Sequence, residues 1–269
     1  MGISGTNSGK SGGRQGGLFG RSARTAAADP LPPPSHWGDP HSIAFVDRYL
    51  KPGDHVLDIG ANNGAFAIQA ARAVGIEGVV DAFEPSPQMR MKLNETLALA
   101  HTPQVIVHPR MVGKTHGLGR FIDGTGKFKR RRMAAPGELV VTGGMIGVDC
   151  VTLDRWVEIR RYALMRLDIA GCELFALEGA GECLAVANPP VILIAMDAAL
   201  GDFNLSPAAV GDWLTERGYE TILYNADTNK FEYVVEPWQR RRLVLAFATR
   251  ARNDMSRRLA DYIPPPANG

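Results

Sequence analysis

The stretch His55-Val56-Leu57-Asp58-Ile59-Gly60-Ala61-Asn62-Asn63-Gly64 decides the fold. Its first five residues read as a buried strand, and Asn63 to Val74 reads as a helix with Phe66, Ala70 and Val74 in register. Between them, Gly60 and Gly64 permit a tight turn and close backbone approach, and the helix start offers free N–H groups. The turn opens on Asp58 and follows D-x-G-x-x-x-G spacing rather than the G-x-G-x-x-G of a dinucleotide site. An acid at that point suits a cationic amino-acid moiety better than a pyrophosphate.

Outward from this turn, strands and helices alternate. Val79 to Phe83 reads as a second strand ending on Glu84, 26 residues after Asp58. A carboxylate there can accept hydrogen bonds from both hydroxyls of a ribose. Asp39-Pro40 opens a short helix upstream with Ile43, Val46 and Leu50 on one face. Ser86-Pro87 opens another with Met89, Leu93 and Leu97, and Val105 to Val107 is a third strand. The glycine-rich segment 113–147 reads as turns or hairpins inserted before the fourth core strand. Alternation resumes with strand Ala163 to Leu167, helix Cys172 to Leu184, strand Val191 to Met196, helix Pro207 to Arg217 and strand Glu220 to Leu223. Phe231 to Val235 and Leu243 to Phe247 read as a closing pair. The pattern predicts an α/β fold with a mostly parallel central sheet covered by helices on both faces.

The 269 residues, 45% of them hydrophobic, are enough for one α/β domain with tails. Domain limits are expected at 1–38 for a Gly/Ser/Pro-rich flexible tail, 39–250 for the folded domain and 251–269 for a basic helix and tail. In the first tail, Gly5 to Ser11 imitates a phosphate loop one residue short and with no strand before it, and Met1-Gly2 with Thr6 imitates an acylation signal; neither is read as a site. Three spaced cysteines, Cys150, Cys172 and Cys183, form no disulfide framework and no metal-ligand pattern. The longest apolar run, Val191 to Met196, is too short to span a bilayer, and no signal-peptide core is present, so the expected location is the cytoplasm. The net charge of +2 conceals segregation: residues 1–40 carry +2, Lys127 to Arg132 +5 and 239–269 +5, which leaves about −10 on the body.

Four motifs in order, D-I-G-A-N-N-G (58–64), A-F-E-P-S-P (82–87) with Asn94, V-T-L-D (151–154) and L-D-I-A-G-C-E-L-F-A-L-E-G-A (167–180), resemble the FkbM-type S-adenosylmethionine-dependent methyltransferases over about residues 40–200. The resemblance implies a Rossmann-like methyltransferase fold and O-methylation of a hydroxyl on a saccharide, glycan or secondary metabolite. It implies that Asp58, Gly60, Asn62 and Gly64 form the cofactor loop, the first three lining the methionine end, and that Glu84 holds the ribose. Asp168 would face the transferred methyl, with Asp197 after the next strand. The family pattern D-x-E-G-x-E departs here at Ala170, where a glutamate is usual, while Asp168, Gly171 and Glu173 are kept.

Methyl transfer from a sulfonium is an in-line displacement, so the protein positions the acceptor oxygen and removes its proton. Asp168 or Asp197 can be that base; a divalent cation held by both is possible but not predicted. An alternative for Asp168 is a helix-capping acid, and Glu173 reads as a first-turn acid. His108 and His116 follow the third strand, where a histidine is more often a surface or packing residue than one bordering the adenine or the acceptor. Lys127 to Arg132 could hold an anionic small-molecule or glycan acceptor or a nucleic-acid backbone, or be a solvated loop. Two other readings stay open: a non-catalytic relative that keeps the cofactor pocket, motivated by Ala170, and a nucleic-acid methyltransferase, disfavoured because Asp168-Ile169-Ala170-Gly171 lacks the Pro-Pro-aromatic signature of amino-group enzymes.

Overall fold

A computed structural model describes Gly2 and residues 37–124, 131–134, 144–156, 161–196 and 198–260. Helix α1 (Pro40–Tyr49) starts where the Asp39 carboxylate accepts from the amides of His41 and Ser42 at 3.0 and 3.2 Å. Strand β1 (His55–Ile59) leads into α2 (Ala65–Val74), and β2 (Val79–Phe83) into α3 (Pro87–Ala100), capped by the Ser86 hydroxyl. Then come β3 (Val105–His108), β4 (Met111–Val112), β5 (Gly117–Ile122), β6 (Arg132–Met133), β7 (Met145–Val151) and α4 (Leu153–Trp156). The second half runs β8 (Leu164–Leu167), α5 (Glu173–Glu178), α6 (Gly181–Ala185), β9 (Val191–Ala195), α7 (Pro207–Glu216), β10 (Tyr219–Asn225), β11 (Lys230–Glu232), β12 (Leu243–Ala248) and α8 (Arg252–Ala260).

Eight strands form one sheet in the order β11-β10-β12-β9-β8-β1-β2-β3. The five strands from β9 to β3 are parallel, while β12 runs antiparallel to β9 and β10, and β10 antiparallel to β11. Strand alternation sorts the core into two layers. Val56, Val80, Leu164 and Leu193 pack under α1, α2, α3 and α8, while Leu57, Ile59, Met165 and Ile194 pack under α4 to α7. The expected α/β architecture with both faces covered is therefore present. The chain order reverses between β1 and β8, which places the ligand crevice beyond their carboxyl ends.

Two local expectations are corrected and a third gains detail. The helix expected over 172–184 breaks at Gly179 and Ala180, where a Cβ on Gly179 would stand 2.1 Å from the Gly113 carbonyl oxygen, so the backbone crosses too closely for a continuous side-chain-bearing turn. The strands expected to close as a pair do not touch each other: β11 turns back on β10, which lies between β11 and β12. The inserted segment, expected as turns or hairpins, pairs β5 antiparallel with β6 and with β7 and so builds a second sheet, β4-β7-β5-β6. Apart from Gly2, Trp37 and Gly38, the expected N-terminal tail lies outside the described residues, as does the C-terminal stretch from Asp261.

Candidate functional site

The turn after β1 holds Gly60, Asn62 and Gly64 at φ of 92°, 52° and 87°, all left-handed. The amides of Gly60 and Ala61 both donate to the Phe83 carbonyl at 3.0 Å, which fastens the turn to the end of β2. A Cβ on Gly60 would lie 2.2 Å from the Asp168 carbonyl oxygen, so only glycine lets the turns after β1 and β8 touch. Glu84 then joins turn to helix. Its Oε2 accepts from the Asn62 amide at 2.8 Å and its Oε1 from the Ser86 amide at 2.9 Å. Each oxygen spends one acceptor position on the backbone and keeps capacity for another donor. Burial pushes the Glu84 carboxyl up, and the two amides pull against that shift.

The turn after β8 is built on charge. Arg166, inside β8, stands opposite Asp58 of β1 in the strand register. Its guanidinium donates to Asp58 Oδ1 at 2.9 Å, to the Gly60 carbonyl at 3.1 Å and to Asp168 Oδ2 at 2.6 Å, and lies 5.3 Å from the Phe66 ring centre. Arg242 grips Asp168 from the other side, with bonds of 2.7 and 2.9 Å to its two oxygens. Burial alone would raise the Asp168 carboxyl, but the two guanidiniums outweigh it and hold Asp168 below the ordinary carboxylate range. Asp58 is fully buried; burial pushes its carboxyl up against the pull of Arg166, and Oδ2 has no hydrogen-bond partner among the described residues. Glu173 caps the turn, its carboxylate accepting from the amides of Ile169 and Gly171 at 2.9 and 3.0 Å. Asp168 is thus an arginine partner and not the helix cap.

These turns and the inserted sheet enclose a cleft of about 340 Å³. Gly60, Asn62, Glu84 and Asp168 line it, together with Phe83, Phe121, Met133, Ile169 and Ala170. Asp58 and Gly64 do not. Asp58 is fully buried against Arg166, so it does not line the methionine end as expected. Gly64 shapes the helix start, where a Cβ would meet Leu93 at 2.6 Å. Asp197 and Lys127 to Arg130 lie outside the described residues. Arg131 and Arg132 do line the cleft, paired with Asp123 at 3.4 Å and Asp202 at 3.6 Å. His108 packs as expected, its Nε2 2.7 Å from the buried Asp81 and its ring 4.6 Å from Trp156. The three cysteines are free and buried, and burial pushes the Cys183 thiol up to about 12. Among the described residues no cluster of three or more His, Cys, Asp or Glu is placed to hold a metal, and no helix is long and apolar enough to cross a membrane.

Arg166 escaped the sequence reading, although a lone cation in the apolar run Ala163-Leu164-Met165-Arg166-Leu167 is a readable signal: a charge there needs a buried partner. Phe121 and Met133 left no such sign, because the inserted sheet places them by long-range pairing.

The chain is similar in structure to an FkbM methyltransferase from Methylobacillus flagellatus KT (14% identity, TM-score 0.46), with 72% of this chain aligned to 43% of that one. It therefore spans less than half the length of that protein. A SAM-dependent O-methyltransferase from Thermotoga maritima aligns at 14% identity over 80% of this chain and 67% of its own, with a TM-score of 0.45. A Streptococcus mutans protein solved in complex with SAH aligns at 14% identity over 76% and 94%, also at 0.45. No curated protein matches. Residues 58–221, more than half of the chain, match the methyltransferase FkbM domain, beginning at Asp58 and ending within β10, and the chain belongs to that family.

Proposed function

We propose that the protein transfers a methyl group from S-adenosylmethionine to a hydroxyl oxygen of a saccharide or secondary metabolite. The observation that carries the reading is Glu84: a buried carboxylate at the end of β2, held rigid by two backbone amides, with one acceptor position left on each oxygen. Paired ribose hydroxyls match that arrangement. The residues fit the cofactor in a second respect, since Gly60 and Asn62 offer close backbone approach beside Glu84. S-adenosylmethionine supplies an electrophilic methyl on a sulfonium, and the chain's own task is to place the acceptor oxygen in line and take its proton.

Glu84 and Asp168 are the acids among the described residues lining the cleft. With Glu84 assigned to the ribose, Asp168 is the proton acceptor we favour. Its two arginines keep it ionised and make it a weak base. A weak base suffices if it accepts the proton as the C–O bond forms, when the hydroxyl has become far more acidic. Calorimetric titration with S-adenosylhomocysteine, followed by transfer of labelled methyl to a panel of glycans, natural products and RNA, tests this. Binding with transfer to a hydroxyl compound is expected. Absence of binding at millimolar ligand sinks the reading. Binding without any transfer supports instead a non-catalytic relative, the reading motivated by Ala170, which lines the cleft where the family usually places a carboxylate.

A further inference from the structure

A second cavity of about 450 Å³ adjoins the cofactor cleft, and Arg110 lines both. Arg155, His116 and Trp156 share this second wall, and Asp149, exposed at the rim, is the acid among its lining residues. The two spaces are also linked by aromatic packing, since Phe83 of the cleft meets Trp156 edge-on at 5.4 Å.

The arginines of this cavity differ from the others near the site. Arg131, Arg132, Arg166 and Arg242 each face a carboxylate. Arg110 and Arg155 have no acidic partner within bonding distance among the described residues. Arg110 is held instead over the Trp156 ring, 5.1 Å from its centre. A cation–π contact fixes the guanidinium without neutralising it, so its charge and its forked donors remain available to a ligand. Trp156 is itself fixed by His108 and Phe83. Two unneutralised guanidiniums and an imidazole around a pocket of small-molecule size match an oxyanion.

We infer that this cavity anchors the methyl acceptor through an oxyanion, a phosphate or a carboxylate carried on a sugar, and so holds the hydroxyl to be methylated at the neighbouring cleft. The inference rests on the methyltransferase reading for its purpose, while the anion site is testable without it. Glucose 6-phosphate, glucuronate and glucose are titrated into the full-length protein by ligand-observed NMR, with S-adenosylhomocysteine titrated separately. One or both charged sugars should bind at millimolar or lower concentration and glucose should not, the two charged arms distinguishing phosphate from carboxylate. Arg155→Ala should weaken the charged sugar about tenfold or more and leave S-adenosylhomocysteine affinity unchanged, because Arg155 does not line the cofactor cleft. Arg155→Lys should restore part of the loss. Equal binding of glucose and the charged sugars, no binding of either charged sugar, or indifference to Arg155→Ala overturns the inference. A short oligoribonucleotide that binds through Arg155 when neither sugar does overturns the saccharide assignment in favour of nucleic acid. Failure of S-adenosylhomocysteine alone, with the charged sugars bound, defeats the cofactor reading and leaves the anion site standing.

Discussion

The turns after β2 and β8 both open on an acid that lines the same cleft, yet the two acids are held in opposite ways. Glu84 is held by two uncharged backbone amides, each taking one lobe of one oxygen. Asp168 is held by two guanidiniums that occupy both its oxygens. Amides orient a carboxylate while leaving its charge to be used by a ligand; arginines spend that charge within the protein. The contrast fits the roles proposed above, recognition for Glu84 and proton acceptance for Asp168, and gives Asp168 a structural load besides. Asp58 extends the lesson: the acid that opens the signature turn never reaches the cleft, because Arg166 intervenes.

The largest effect is expected on the arginine side. Arg166→Met strands the buried Asp58 without its cation and should cost about 3–5 kcal/mol of stability, measured by denaturant unfolding. Adding Asp58→Leu removes the stranded charge, and the double variant should recover much of the loss. If the single variant is as stable as wild type, the buried pair is not what holds the two turns. On the amide side, Glu84→Ala should weaken S-adenosylhomocysteine binding by about 1.5–3 kcal/mol, since a charged acceptor is lost to the ribose; calorimetry reads this directly.

Gly60→Ala would join the two sides by force, driving a methyl against the Asp168 carbonyl in a left-handed backbone. A loss of about 1–3 kcal/mol in thermal or chemical unfolding is expected, with cofactor affinity falling as well. The smallest effect is the pH dependence of Asp168. Its folded carboxyl lies below the ordinary range, so its stabilisation is complete above the unfolded value and fades as pH falls through the lower folded one. Wild type should therefore lose its stability advantage over Asp168→Asn on acidification, and a constant difference across that range would remove Asp168 from the ledger of acid unfolding.

The parallel half of the fold was legible because its signals are local. Asp39-Pro40 and Ser86-Pro87 cap helices as their chemistry dictates, and Val79 to Phe83 alternates between two apolar layers. The position of Glu84 was legible for the same reason, one residue beyond a readable strand. The turn after β8 was read less completely, since the partners of Asp168 come from within a strand and from 74 residues downstream at Arg242. The order of β10, β11 and β12 and the lining residues of the inserted sheet also depend on long-range pairing. No spacing rule conveys which of two antiparallel neighbours a short strand such as β11 will choose.

The central claim is that the two acids have separate jobs, and one paired measurement tests it most directly. Wild type, Glu84→Ala and Asp168→Asn are titrated with S-adenosylhomocysteine and unfolded in denaturant under the same buffer. Glu84→Ala should lose binding while keeping most of its stability, and Asp168→Asn should lose stability while keeping most of its binding. Wild-type affinity retained by Glu84→Ala, together with loss of binding in a well-folded Asp168→Asn, would contradict the account.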